Sequence, residues 1–150
     1  MSASAQAMIE ELRMIRHPEG GWYVETWRAP AGPHGERPAA STILYLLAAA
    51  DASHWHRVDA AEVWQWSGGD PLDLRIWSPG DAAVTTVRLG GDVLAGERPQ
   101  AVVPEGGWQA ATPLGDWTLV GCIVAPAFSF DGFELAPPGW EPPLEPGGSS

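Results

Sequence analysis

Two histidines and a glutamate lie close together in the stretch "SHWHRVDAAEVWQW", residues 53–66. His54 and His56 are one residue apart, and Glu62 follows six positions after His56. Because side chains alternate along a strand, this spacing puts both histidines on the same face of one strand and Glu62 on a face of the strand that follows. If both faces point inward, the three side chains converge. Imidazoles and a carboxylate bind first-row transition metals and also move protons in enzymes. The stretch therefore predicts either a metal site or an acid–base site.

A simpler interpretation requires no ion. His56 and Glu62 can form a buried hydrogen-bonded pair while His54 lies at the rim of the pocket. A fourth metal ligand is not obvious, because His17 lies in the turn-rich segment "HPEGG" far upstream and Cys122 lies in the apolar run "WTLVGCIVA". The glycine pair of "HPEGG" is typical of a tight turn into a strand, and we assign it no chemistry. At this point the interpretations stay open.

The elements that must position these residues follow from the hydrophobic periodicity. A helix is predicted over about residues 4–16, and "HPEGG" ends it. From Trp22 onward, short runs rich in aromatic and β-branched residues predict eight strands, which are "WYVETW", "STILYLLA", "AEVWQW", "LDLRIW", "VTTVRL", "QAVV", "WTLVGCIVA" and "FSFDGFEL". The connectors are turns such as "SGGDP" and "LGGD", with no helix-length segment between the strands. The pattern predicts an all-β sandwich or barrel with a short N-terminal helix.

Length and composition limit the possible partners. At 150 residues the chain fits one domain, expected over residues 1–135, with a Pro- and Gly-rich tail at 136–150 that is expected to be extended or disordered. A net charge of −11 repels phosphate backbones, so we expect no nucleic-acid partner. The sequence lacks a signal-peptide pattern and any long apolar stretch, and its single cysteine fits a reducing compartment. We therefore expect a cytoplasmic protein with no membrane partner.

Several other side chains are candidates for binding a small molecule. Trp64 and Trp66 share the strand parity of Glu62, and flat apolar faces of this kind suit a sugar ring or a planar ligand. Arg75 could bind a ligand carboxylate or phosphate, or it could pair with a neighbouring aspartate. Tyr45 could supply a phenolic proton. The alternative is that these residues only fill or brace the barrel.

The stretch "SHWHRVDAAEVWQW" and its flanking residues resemble the first motif of the cupin superfamily, G-x5-H-x-H-x3–4-E-x6-G. A second stretch, "VPEGGWQAATP", resembles the second cupin motif, with Gln109 in place of its histidine. The matching residues are His54, His56, Glu62 and Gly69 in the first motif and Pro104 and Gly106 in the second. The gap between His56 and Glu62 is one residue longer than in the motif, and Ala48, Arg98 and Pro113 replace other motif residues. The blocks "HPEGGWYVETWR", "STILYLL", "HRVDAAEVWQW" and "VPEGGWQA" are similar to a group of small single-domain cupins of largely unassigned function. The resemblance implies a double-stranded β-helix, or jelly-roll, barrel that pairs into a homodimer and holds a small-molecule pocket. "STILYLLAAA" is a suitably apolar strand for the pairing.

Three functions are compatible with this resemblance. The first is isomerisation or epimerisation of a carbohydrate-like metabolite, with His56 or His54 as the base and Glu62 orienting the imidazole. The second is a metal-dependent oxygenase or hydrolase, in which His54, His56, Glu62 and Gln109 hold Fe, Mn, Ni or Zn. Gln109 weakens this hypothesis, because an amide oxygen is a poorer ligand than imidazole. The third is a protein that binds a metabolite in a pocket lined by Trp64, Trp66, Gln109, Arg75 and Tyr45 without turning it over.

Overall fold

The chain begins with one helix, and the computed structural model describes residues 1–144. Helix α1 spans Ala3–Leu12, and the hydroxyl of Ser2 caps it by accepting the backbone N–H of Ala5. Arg13 adopts the left-handed conformation, with a φ of 57°, and ends the helix before the predicted boundary near residue 16. No helix in residues 1–144 is long and apolar enough to cross a membrane.

Within residues 1–144, eleven strands follow the helix and form two antiparallel sheets. The strands are β1 (Ile15–Arg16), β2 (Trp22–Arg28), β3 (Ser41–Ala48), β4 (Ser53–Val58), β5 (Ala61–Gly69), β6 (Leu72–Trp77), β7 (Thr85–Leu89), β8 (Gln100–Val103), β9 (Trp108–Pro113), β10 (Trp117–Ala125) and β11 (Phe133–Leu135). The six-stranded sheet has the order β1-β2-β3-β10-β5-β8, and the five-stranded sheet has the order β11-β4-β9-β6-β7. The predicted all-β jelly-roll with a short N-terminal helix is confirmed.

The core lies between the two sheets, and α1 covers the outer face of the six-stranded sheet. Tyr45 and Trp64 are among the largest side chains buried between the sheets. Ala5 and Ile9 of α1 pack in a second cluster that includes Leu46 of β3. Strand β3 lies between β2 and β10, so both of its edges are already paired. The expectation that "STILYLLAAA" serves as a pairing strand between subunits is therefore wrong, because only an edge strand has free backbone groups.

The C-terminal segment, residues 136–144, covers the outer face of the five-stranded sheet. Trp55, Trp77 and Trp108 are buried there in a third cluster with Ala136. Trp140 packs on this cluster, with its ring centroid 4.4 Å from that of Trp108. Up to residue 144 the predicted tail is thus irregular chain packed on tryptophans, and residues 145–150 lie outside the described residues.

Candidate functional site

A cavity of about 690 Å³ lies between the two sheets. Its floor is polar and consists of the buried residues His17, Glu19, His56, Glu62 and Cys122. Opposite the floor lie aromatic rings from residues 126–132, which we call the roof segment, and from Phe133 at the start of β11. A partly open cavity that combines aromatic and aliphatic side chains with a few polar groups at its floor is a common form of small-molecule site.

The roof segment is held in place by side chains from elsewhere in the barrel. Arg37 Nε donates to the carbonyl of Ala127 over 2.7 Å, and Arg28 Nη1 donates to the carbonyl of Phe128 over 3.0 Å. The hydroxyl of Ser41 accepts the backbone N–H of Phe128 over 2.9 Å. These bonds fix the backbone that carries the aromatic rings over the cavity.

Glu19 joins the floor through the tight turn that precedes β2. A side chain at Gly20 would collide with the carbonyl of Ala52, and the φ of 109° at Gly20 favours glycine. The turn therefore places Glu19 against β4, where its carboxylate accepts the hydroxyl of Ser53 and lies 2.9 Å from His56 Nε2. The segment "HPEGG" thus supplies two of the floor residues, which were not among the site candidates predicted from the sequence, while its glycines form the expected tight turn.

His56 is held as an imidazolium by two acceptors. Its Nδ1 lies 2.7 Å from the carbonyl of His54, and its Nε2 lies 2.9 Å from the Glu19 carboxylate. Both partners only accept hydrogen bonds, so both ring nitrogens carry protons. Burial favours the neutral ring, but the charge and hydrogen bond of Glu19 outweigh it and raise the pKa of His56 to about 9. The pKa of Glu19 is lowered in turn, because His56 overcomes the effect of its burial. At neutral pH His56 is therefore a charged partner of Glu19 and has no free nitrogen to act as a base.

Glu62 is the floor carboxyl group that is free to titrate near neutral pH. Burial raises its pKa to about 7, with the charge of His56 opposing and that of Glu19 adding to the shift. Its Oε1 accepts the amide Nε2 of Gln109 over 3.1 Å, and both Gln109 and the Cys122 thiol favour the ionised form. Both protonation states of Glu62 are populated at pH 7, so this group can take up or release a proton inside the cavity.

His17 is a neutral imidazole at the same cavity. Its Nδ1 accepts the backbone N–H of Glu19 over 3.1 Å and lies 3.3 Å from the Glu19 carboxylate; we assign the ring proton to Nε2 on the shorter of the two contacts. Burial lowers the pKa of His17, and the nearby charge of Glu19 only partly offsets this effect. The ring packs edge-on to Tyr23, with centroids 4.6 Å apart. Among residues 1–144 no side chain or backbone group accepts the Nε2 proton, which leaves it available to a ligand.

Comparison with known proteins identifies the family. The family model Cupin_5, described as "Cupin superfamily (DUF985)", matches residues 6–136. The chain belongs to this cupin family. The resemblance predicted from the two sequence motifs is confirmed, and family and cavity together support a small-molecule-binding cupin.

Solved structures show how far this likeness extends. A crystal structure of a protein from Shewanella oneidensis is 39% identical to this cupin, has a TM-score of 0.83, and the match covers 88% of this chain and 84% of that chain. A hypothetical protein from Leishmania major is 32% identical with a TM-score of 0.77, and the match covers 87% and 85% of the two chains. The capsular polysaccharide assembling protein CapF from Staphylococcus aureus shares the fold alone, at 13% identity and a TM-score of 0.61 over 81% of this chain and 31% of its own. No curated protein matches this cupin significantly.

His54 lies outside the cavity of this cupin, which corrects the expectation that both histidines share a face. Ser53 pairs with Ala111 and His56 pairs with Gln109. Between these two pairs β4 advances by three residues and β9 by only two, so β4 contains a bulge. This bulge lets Ser53 and His56 both face inward and turns His54 out of the site. The ring of His54 lies instead 3.0 Å, through Nε2, from the carbonyl of Pro137 in the C-terminal segment.

The residues that were predicted to bind a ligand lie outside the cavity lining. Trp64 and Gln109 are buried behind the cavity wall, where Trp64 Nε1 donates to Gln109 Oε1 over 2.6 Å. Tyr45 is buried in the core and its hydroxyl donates to the carbonyl of Gly20. Arg75 lies on the outer face of the five-stranded sheet, 5.0 Å above the ring of Trp55. Trp66 packs against the core and a ring edge contacts Gly91. Of the predicted site residues, only His56 and Glu62 line the cavity.

The predicted metal ligands His54, His56, Glu62 and Gln109 do not fit a transition metal. His54 points away, both nitrogens of His56 are hydrogen-bonded, and the amide oxygen of Gln109 faces an indole N–H. Within residues 1–144 no group of three or more His, Cys, Asp or Glu side chains is arranged to hold a metal ion. We therefore base the proposed chemistry of the cavity floor on its own titratable groups.

Proposed function

We propose that this cupin isomerises or epimerises a small, uncharged carbonyl compound of carbohydrate-like size, with Glu62 as the group that moves the proton. The observation that carries the proposal is the buried Glu62 carboxyl at the cavity floor, whose pKa is raised to about 7. A general base works best when its pKa lies near the working pH, and burial has brought Glu62 to that range.

His17 supplies the second group that such a reaction needs. Removing a proton from the carbon beside a carbonyl places negative charge on the carbonyl oxygen. The Nε2–H of the neutral His17 ring is free to donate a hydrogen bond to that oxygen. In an isomerisation Glu62 returns the proton to the former carbonyl carbon, while the hydroxyl on the deprotonated carbon passes its proton to the former carbonyl oxygen and becomes the new carbonyl. In an epimerisation the planar intermediate turns over in the cavity before Glu62 returns the proton to the other face of the same carbon. No proton is gained or lost overall.

His56 takes a different role from the base that its sequence position suggests. Its ring is committed to Glu19 and to the carbonyl of His54, so it cannot accept a proton from a substrate. We assign it the role of holding Glu19 and the turn that carries His17 against β4. Its positive charge also keeps the pKa of Glu62 from rising further.

The charges around the cavity favour an uncharged substrate. Arg28 and Arg37 are the arginines that line the cavity within the described chain. Arg28 pairs with Glu25 at 2.7 Å, and Arg37 pairs with Asp59 at 2.8 Å. Both also donate to the roof backbone, so each guanidinium nitrogen of the two arginines already has an acceptor. A phosphate or carboxylate ligand would find no free cation here, on a chain of net charge −11.

Solvent deuterium incorporation tests this proposal without knowledge of the product. The protein is incubated in D₂O with a panel of neutral aldoses, ketoses and small keto compounds, and loss of carbon-bound ¹H signal is followed by NMR. We expect at least one compound to exchange, and we expect Glu62→Gln to abolish the exchange. Glu105→Gln, which changes an exposed carboxylate, is the matched control. Exchange that survives in Glu62→Gln refutes the role of Glu62, and binding without exchange in the wild type indicates the metabolite-binding function instead.

A further inference from the structure

A chain of hydrogen bonds runs from the core to Glu62. Trp64 Nε1 donates to Gln109 Oε1 over 2.6 Å, and Gln109 Nε2 donates to Glu62 Oε1 over 3.1 Å. Trp64 and Glu62 face inward two residues apart on β5, and Gln109 faces them from β9 in the other sheet. Their side chains are almost inaccessible to solvent, with exposed fractions of 1%, 6% and 0% respectively.

The chemistry of the three groups allows one arrangement. An indole N–H can only donate, so the amide oxygen of Gln109 must face Trp64. The amide NH₂ then faces Glu62, where it can donate to a carboxylate. A flipped amide would place its NH₂ against the indole N–H and its oxygen against the carboxyl group, leaving a buried donor without an acceptor. Trp64 therefore selects the orientation of Gln109, and Gln109 in turn determines which of the Glu62 oxygens is occupied.

We propose that Trp64 and Gln109 are positioning residues that fix the Glu62 carboxyl group for proton transfer. The inference rests on the proposed role of Glu62 and explains why glutamine occupies a position where the cupin motif has a histidine. The amide holds Oε1 of Glu62 as an acceptor, so Oε2 is the oxygen that exchanges the proton with a substrate. Neither Trp64 nor Gln109 lines the cavity, so their effect on chemistry passes through Glu62.

Trp66 offers a control on the same strand. It carries the same ring, and it also packs against the core between the sheets. Its Nε1 is buried and has no hydrogen-bond partner within residues 1–144. Replacing either tryptophan with phenylalanine removes an indole N–H from a core ring, but only the change at Trp64 releases Gln109. The other titratable groups near Glu62 are His56, Glu19 and Cys122, and neither substitution alters them.

The test is a titration of Glu62 followed by NMR of protein labelled with ¹³C at the glutamate carboxyl carbons. The Glu62 signal is the one that disappears in Glu62→Gln. In Trp64→Phe the amide is free to turn its oxygen towards Glu62, which disfavours the ionised form. We expect the midpoint to rise by roughly one pH unit, the order expected for losing a hydrogen bond to a charged group, and to stay unchanged in Trp66→Phe.

Gln109→Met provides a second variant in case Trp64→Phe does not fold. It keeps the length of the side chain but removes the donor, and we expect the midpoint to rise as well. Equal midpoints in Trp64→Phe and Trp66→Phe, or an unchanged midpoint in Gln109→Met, would overturn the inference. The titration uses no substrate, so it can succeed even where the deuterium experiment shows that Glu62 is not the catalytic base.

Discussion

Replacing Glu62 with glutamine is expected to stabilise the folded protein, and the gain should grow as the pH rises. The pKa of Glu62 is about 7 in the folded protein, against an ordinary value of 4.5. Between these values the folded state holds a proton that the unfolded chain releases, so the wild type loses stability as the pH rises through this window. Glutamine has no such proton, and its amide oxygen can still accept the N–H of Gln109.

The expected size follows from the difference between the two pKa values. One pH unit corresponds to about 1.4 kcal/mol, so the full window is worth roughly 3 kcal/mol of unfolding free energy. Glu62 is only 6% exposed, so solvent screening does little to reduce this figure. Glu62→Gln should exceed the wild type by about 1 kcal/mol at pH 5.5 and by about 3 kcal/mol at pH 8.

Urea unfolding monitored by tryptophan fluorescence at several pH values between 5.5 and 8 measures this difference. Comparison with the wild type at each pH removes the contributions of titrating groups that do not interact with Glu62. Glu105→Gln, at an exposed carboxylate, is the control for removing one negative charge from the chain. A stability difference that stays constant with pH, or a wild type that is the more stable protein at pH 8, would refute the assignment of Glu62 as a carboxyl group whose pKa is raised by burial.

Three further outcomes are expected. Glu19→Gln leaves the buried His56 cation without its counter-charge and should cost about 3 kcal/mol at pH 7. The stability that the wild type gains from this pair should be full between about pH 4.5 and 6.5, decline as the pH rises towards about 9, and also decline below pH 4.5 as Glu19 becomes protonated; a flat profile above pH 6.5 would contradict it. His54→Ala should lower the free energy of unfolding, measured in urea, by under about 1 kcal/mol and leave deuterium exchange unchanged. Loss of exchange would show that His54 takes part in the reaction. Trp140→Ala should cost about 2 kcal/mol and increase the binding of a hydrophobic dye, and an unaltered urea midpoint would show that the C-terminal segment does not stabilise the sheet.

The fold could be predicted because alternation and turn residues are local signals. Strands β3, β5, β6 and β10 carry long apolar alternation, and the structure has strands at each of those predicted runs. The end of α1 could not be placed, since Ile15 continues the helical spacing but belongs to β1. Strand β9 was not predicted as a strand, because "WQAATP" contains small residues and a proline.

The site could be predicted only in part. His56 and Glu62 follow from their spacing, but His54 does not, because a bulge between strands that are distant in sequence leaves no mark in local alternation. His17 and Glu19 were missed because they lie in a turn, where no periodicity indicates which way a side chain points. The available signal was the presence of two ionisable residues in a segment that leads directly into a strand.

The roof segment and the floor come from separate stretches of the chain. The acid–base groups at the floor lie within residues 17–62, whereas the aromatic roof belongs to residues 126–132 and is fastened mainly through its backbone. The two parts nevertheless touch, because the rings of Phe128 and Phe130 each lie with their centroids 6.4 Å from that of His17. Exchanging Phe128 and Phe130 for other side chains would therefore change the aromatic lining of the cavity and the packing of His17 together.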